Sequence, residues 1–361
     1  MRNGDFLVSG GPLILMTIAC KGPTPATDDP ITYRELRVVD SIGVEIGDSN
    51  LLLGKVAGAF FLPDGNILVA DGAYQDLRLF PPNGFCISRV KNLGNGPLEY
   101  NHIGGITPFG EGFVLYEYYL RRFVYYRADL APVRSVTLPG NSVIDQLSIL
   151  PDSSALGWAG NLTADQNGDL TLSMDLSRWS IDTGEITTTF SSLQQTSTNP
   201  EDLYELYAGQ PAVTAGSDGH IYVALSGVNN RVLVLAQDGA PLDTLQNPRE
   251  PGFRDSLEVE EELLWRRYRD NMGGAWRPDP RELGVIGIQV QDSLGRVWVH
   301  HSSYFHPEFD VYRSDGTLEF TSAVSGLPGD ELMIFRITDR GILAWNPFAS
   351  SWPRVYILEL Q

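Results

Sequence analysis

A chain of 361 residues with 42% hydrophobic content can bury a sizeable core, and 37 Gly with 23 Pro suit a fold of many tight turns rather than a disordered polymer. A net charge of -19 repels phosphate backbones and anionic membrane surfaces. The only adjacent basic pairs, Arg121-Arg122 and Arg266-Arg267, are too sparse for a nucleic-acid footprint, so nucleic acid is excluded as a partner.

The first twenty residues join an early cation, Arg2, to the apolar stretch Phe6 to Ala19, broken by Ser9-Gly10-Gly11-Pro12. This is too short and interrupted to span a bilayer and suits a secretory leader. Thr17-Ile18-Ala19-Cys20 resembles the lipobox of bacterial lipoproteins, which implies lipidation of Cys20, export to the cell envelope and contact with the membrane through that anchor alone. Residues 21–32, rich in Pro, Thr and Asp, read as a solvated tether ahead of the folded part. Cys86, the other cysteine, alternates with Phe85 and Ile87 as in a strand and is expected to pack as a small apolar residue.

From residue 33 the chain repeats one unit. Asp64-Gly65-Asn66 turns into Ile67-Leu68-Val69-Ala70-Asp71, and a second β-run, Leu77-Arg78-Leu79-Phe80, follows; the pattern recurs after Gly219 and Gly295. The turns marked by Gly65, Gly112, Ser153-Ser154, Gly219, Gly295 and Gly341 divide residues 33–361 into repeats, each about 40 to 50 residues where uninterrupted. This predicts an all-β, six-bladed β-propeller. The chain ends in a strand-like run, Arg354 to Leu360, and Tyr33 to Asp40 is the strand expected to complete that last blade and hide both edges. Insertions are expected at about 187–212, with a short helical run at 200–207, and at 248–283, where Leu257, Leu264, Trp265, Tyr268 and Met272 fall on one face of a helix near 255–272.

Between the first two repeats stands Leu93-Gly94-Asn95-Gly96-Pro97-Leu98-Glu99-Tyr100. With the Asp64 to Asp71 unit it resembles the NHL-like six-bladed propeller lipoproteins of bacteria, whose phrase reads G-x-G-P-G-E-F, so Leu98 and Tyr100 depart from it. The resemblance covers residue 33 onward and implies an exported binding or scaffolding protein. Gly94, Gly96 and Pro97 would shape the crossover, and Glu99 would accept its backbone donors. Related six-bladed propellers include metal-dependent lactonases, streptogramin lyases and peptidyl-hydroxyglycine lyases, so fold alone does not exclude chemistry.

Propeller ligands meet the loops at one mouth of the central channel. The candidates there are Asp71, Glu117, Arg121, Asn161, Asn229, His301 and Asn346. His102, His300 and His306 are the residues a divalent metal would use, but adjacent His300 and His301 point to opposite faces of a strand. Tyr116, Tyr118, Tyr119, Phe123, Tyr125 and Tyr126 offer rings for a glycan or peptide, with about half of them packing between blades by their alternation. No P-loop, G-x-S-x-G or H-E-x-x-H is present. The expected role is a binding module for a glycan, peptide or envelope protein without a firm cofactor. A metal-assisted lyase or lactonase on the channel axis is the alternative.

Overall fold

The computed structural model describes residues 32–82, 84–139, 143–166, 168–197, 212–225, 231–246, 287–290, 292–302, 307–329, 331, 333–347 and 352–361. Four antiparallel sheets follow one another, each with its strands in chain order. They are β2 (Val56–Phe61), β3 (Ile67–Asp71), β4 (Asp76–Phe80) and β5 (Ser88–Val90); β6 (Ile103–Phe109), β7 (Gly112–Glu117), β8 (Arg122–Tyr126) and β9 (Pro132–Thr137); β10 (Val143–Ile149), β11 (Ser154–Ala164), β12 (Leu170–Ser180) and β13 (Ile186–Ser197); and β14 (Val213–Ala215), β15 (Ile221–Leu225), β16 (Arg231–Leu235) and β17 (Pro241–Gln246).

A fifth, eight-stranded sheet joins β18 (Gly287–Val290), β19 (Val297–Ser302), β20 (Pro307–Tyr312) and β21 (Leu318–Ser325) to β22 (Ile334–Thr338), β23 (Gly341–Trp345) and β24 (Val355–Leu360) through β1 (Tyr33–Ile42). β1 pairs antiparallel with β24 from Leu36↔Leu360 to Ile42↔Val355, the pairing expected from the sequence. It also runs parallel to β21, from Tyr33↔Thr321 to Arg37↔Ser325, which the sequence did not announce.

The innermost strands touch in cyclic order, β2 to β6, β10, β14, β18, β22 and back to β2. The core lies between neighbouring sheets. Phe60, Leu68 and Leu77 pack with Phe113, Leu115 and Val124 between the first two sheets, and Leu343, Trp345 and Val355 pack with Val56, Ile67 and Phe80 where the last strands meet the first. The middle strands β3, β4, β7 and β8 are buried throughout, because both faces of each sheet are covered. That is why β3 and β7 read as nearly continuous apolar runs, whereas β4 keeps two buried polar residues, Asp76 and Arg78, that pair with each other. The molecule is an all-β protein of propeller type.

Two expectations change. Residues 187–197, placed at the start of an insertion, belong to β13 and pair along β12 from Trp179↔Ile186 to Leu170↔Ser197. The rest of that insertion, the helical run at 200–207 and the helix near 255–272 lie outside the described residues. Cys86 precedes β5 rather than lying in a strand, yet it packs half-buried against the Ile42, Val56 and Phe80 core as expected, with Sγ donating to the Ser88 carbonyl at 3.3 Å.

Candidate functional site

Two turns built alike set one end of the molecule. Asp71 closes β3 and accepts the N–H groups of Ala73 and Tyr74 in its own turn (2.9 and 3.0 Å) and of Gly54 and Lys55 (2.7 and 3.2 Å) just before β2. Glu117 closes β7 and does the same for Leu120 in its turn and for Asn101 and His102 (3.4 and 3.0 Å) just before β6. Both turns end on a residue with left-handed backbone, Gln75 at φ 54° and Arg121 at φ 47°. Each acid thus fixes the crossover that delivers the chain to an innermost strand, by satisfying backbone donors that burial would otherwise leave unmet. Asn346, just past β23, ties its strand end to the crossover before β22 in a different way, its side-chain amide donating to the Glu331 carboxylate at 3.2 Å.

Asp71 and Glu117 are fully buried and Asn346 nearly so. These mouth candidates are therefore frames of the mouth rather than surfaces presented to a ligand. Arg121 sits in the β7–β8 turn, where its carbonyl accepts from Leu138 N–H at 2.8 Å. Asn161 is not on a loop: it lies in β11 opposite Ser173. The Asp71 and Glu117 turns follow the second strand of their sheets, β3 and β7, and lie against the segments that lead into the innermost strands β2 and β6.

The Gly94 to Tyr100 crossover is structural. Glu99 accepts Gly96 N–H at 2.7 Å, and a Cβ on Gly94, at φ 153°, would collide with that carboxylate. Tyr100 is fully buried, and its hydroxyl donates to the Gln75 carbonyl at 3.2 Å, which gives the departure from phenylalanine a partner. Burial pushes its pKa up to about 12.

What these frames carry outward is a cluster around His102. Its ring lies 5.2 Å from that of Tyr119 and 6.1 Å from that of Tyr118, and the two tyrosine rings stand nearly perpendicular, 5.6 Å apart. Tyr119 is 67% exposed and Tyr118 41%. Tyr116, Phe123, Tyr125 and Tyr126 of the same aromatic run are buried core residues, more than the half expected from alternation: β7 and β8 are covered on both faces, so adjacent Tyr125 and Tyr126 are both buried, and the exposed pair Tyr118 and Tyr119 sits in the turn between the strands. Gln75 accepts Ile103 N–H at 2.8 Å, and its amide nitrogen lies 3.4 Å from His102 Nδ1. Neither Gln75 nor Lys55 was singled out from sequence; Lys55 and His102 correspond only by place, each standing immediately before the first strand of its sheet, because an ungapped alignment of the Asp71 and Glu117 turns sets Lys55 opposite Asn101 instead.

Burial lowers the His102 pKa below its ordinary 6.5; the Lys55 charge adds to the drop, and Glu117 opposes it. The imidazole is thus neutral at pH 7 and presents a neutral hydrogen-bonding edge between two rings. Because the folded value lies below the unfolded one, this group contributes stability above pH 6.5 that is lost as pH falls through the folded value. Lys55→Met is expected to raise the titration midpoint of the His102 ring protons in NMR; an unchanged midpoint would remove Lys55 from the cluster.

His300 is buried elsewhere, stacked on Phe309 at 4.9 Å and edge-on to Phe335 at 5.6 Å. His301 lies opposite Glu308 in β19, while its side chain, His306 and Asn229 fall outside the described residues. Among the described residues no group of three or more His, Cys, Asp or Glu side chains is arranged to hold a metal ion. Many carboxylates serve turns instead: Asp64, Asp152, Asp218 and Asp315 each accept the N–H two residues on.

No protein-family model matches the chain, and no curated protein matches it. Among solved structures, an exported-protein candidate from Bacteroides fragilis NCTC 9343 is 12% identical, covers 90% of this chain and 95% of its own, and superposes with a TM-score of 0.54. Virginiamycin B lyase from Staphylococcus aureus is 11% identical over 91% of this chain and 100% of its own, at 0.49. A protein of unknown function from Bacteroides thetaiotaomicron VPI-5482 is 13% identical over 90% and 76%, also at 0.49. At 12% identity the first likeness concerns fold alone, and it is the closed cycle of innermost strands that makes this fold a β-propeller.

Proposed function

We propose that this chain is a six-bladed, exported propeller, held at the bacterial cell envelope through Cys20, that works as a glycan-binding module. The cyclic contact of β2, β6, β10, β14, β18 and β22 supports the blade number. The lipobox-like run before Cys20 and the NHL-like crossover support the location and family, in keeping with the export suggested for the Bacteroides fragilis neighbour.

The observation that carries the binding reading is the exposed corner of Tyr118 and Tyr119 around neutral His102. Two rings at 88° offer one face to stack on a sugar ring and another to bound its edge, and the imidazole and Gln75 supply neutral donors and acceptors. A neutral ligand also escapes the repulsion that a net charge of -19 imposes on anions in solution.

A glycan array probed with the soluble chain from residue 22 is expected to return a bound glycan, and the double variant Tyr118→Ala/Tyr119→Ala should weaken it about fivefold to a hundredfold, since each ring contributes roughly 0.5–1.5 kcal/mol. Both side chains are exposed, so the melting temperature should stay within a few degrees. Binding that survives the double variant would place the ligand elsewhere, and a peptide array run alongside would reveal a peptide ligand instead.

A further inference from the structure

Arg336 stands on the innermost strand β22, and its guanidinium nitrogen reaches the Ile106 carbonyl on β6 at 3.5 Å. Those two strands are not neighbours, because β2 lies between them in the cycle. The side chain therefore extends across the inner face of the ring. It keeps partial contact with solvent, yet the surrounding protein lowers its pKa by desolvation. Both properties belong to a side chain that projects into a narrow internal channel. Beside Ile106 there is room: no atom lies within 4 Å of where a Cβ on Gly105 would stand.

An arginine remains charged at any working pH, and a desolvated charge is costly unless an opposite charge meets it. Among the described residues no carboxylate forms an ion pair with Arg336, and its one hydrogen bond is longer than the usual 2.7–3.2 Å range. Most of its five N–H donors are thus available. We propose that Arg336 is an anion-binding residue in the central channel, taking a carboxylate or phosphate group of a ligand that enters it. The planar fork of the guanidinium matches both oxyanions, and the low dielectric of the channel strengthens the pairing. This site lies apart from the Tyr118 and Tyr119 corner and stands or falls independently of glycan binding there.

The test is thermal unfolding of the soluble chain in buffer free of small oxyanions, titrated separately with acetate and inorganic phosphate at constant ionic strength. Wild type should show a saturable rise in melting temperature with at least one of them, since a ligand of the native state stabilises by mass action. Acetate alone assigns a carboxylate ligand and phosphate alone a phosphate; a response to both leaves the shared oxyanion as the ligand. Arg336→Met should abolish the rise and, in the oxyanion-free buffer, melt at or above wild type because an uncompensated charge has been removed. Absence of a response to either anion in wild type, or an equal response in Arg336→Met, would overturn the proposal.

Discussion

A chain that lacks residues 33–42 is expected to lose its cooperative unfolding transition, whereas removal of residues 1–31 alone should leave it intact. β1 is bonded on both edges, to β21 over Tyr33–Arg37 and to β24 over Leu36–Ile42. It also supplies one anchor to each of two core regions. Leu36, with no exposed surface, packs with Trp298, Phe309, Phe320 and Leu358, and Ile42 packs with Val56, Phe80 and Leu343. Losing β1 would uncover two strand edges and open both regions. Leu36→Ala alone should cost about 2–5 kcal/mol, a large part of the roughly 5–15 kcal/mol by which a domain of ordinary stability is held. Urea unfolding followed by tryptophan fluorescence reads both effects, and a synthetic peptide of residues 33–42 should restore part of the transition to the truncated chain. A truncated chain that melts cooperatively at the wild-type midpoint would show that the ring does not depend on this strand.

The second large effect is expected at Arg78, which is fully buried with its partners Asp71 and Asp76. The guanidinium binds Asp76 at 2.8 Å and Asp71 at 3.3 Å, and it donates to the Leu52 and Asn50 carbonyls at 2.6 and 3.3 Å. One side chain therefore neutralises two acids and holds the crossover that leads into β2. Arg89, half-exposed, reaches Asp76 at 2.5 Å and cannot reproduce those carbonyl contacts from its position in β5. Arg78→Met should cost about 3–5 kcal/mol, because two buried carboxylates lose a shared counter-charge. Arg78→Lys should rescue only a fraction, since an ammonium cannot bridge two acids and two carbonyls in one plane. The same urea titration measures both, and losses below about 1 kcal/mol in Arg78→Met would mean that water compensates the two acids.

Much of this architecture was legible because propeller units repeat their own punctuation. Gly65, Gly219 and Gly295 each carry the positive φ of the turn that the sequence marks, at 85°, 85° and 72°. The terminal run from Tyr33 found its partner because Arg354 to Leu360 lacked a neighbour on one side. The parallel pairing of β1 with β21 was not legible, since alternation along one strand does not name which edge lies beside it. Thr187 to Ser197 reads as part of an insertion because the stretch from Ser153-Ser154 to Gly219 exceeds one repeat, whereas the long strands β11, β12 and β13 take up part of that excess length.

Site residues were harder to read. Asp71, Glu117 and Asn346 are polar residues at strand ends, where a ligand contact and a backbone cap look the same in a sequence. Only the N–H groups of Gly54, Lys55, Asn101 and His102 around the two acids decide between them. His102 and the exposed pair Tyr118 and Tyr119 come from segments about fifteen residues apart that meet through the β6–β7 pairing near Ile103↔Glu117. Arg336 gave no signal at all, being one cation in an ordinary strand pattern.

The measurement that bears most directly on the central claim is thermal unfolding of the soluble chain, stripped with a chelator and titrated in parallel with calcium, magnesium, zinc and the leading glycan from the array. A metal-free binding module predicts a saturable rise in melting temperature with the glycan, lost in Tyr118→Ala/Tyr119→Ala, and no saturable rise with any metal. A rise with one metal and none with the glycan would contradict it and would restore the metal-assisted lyase or lactonase, with His102 and His301 the first residues to replace.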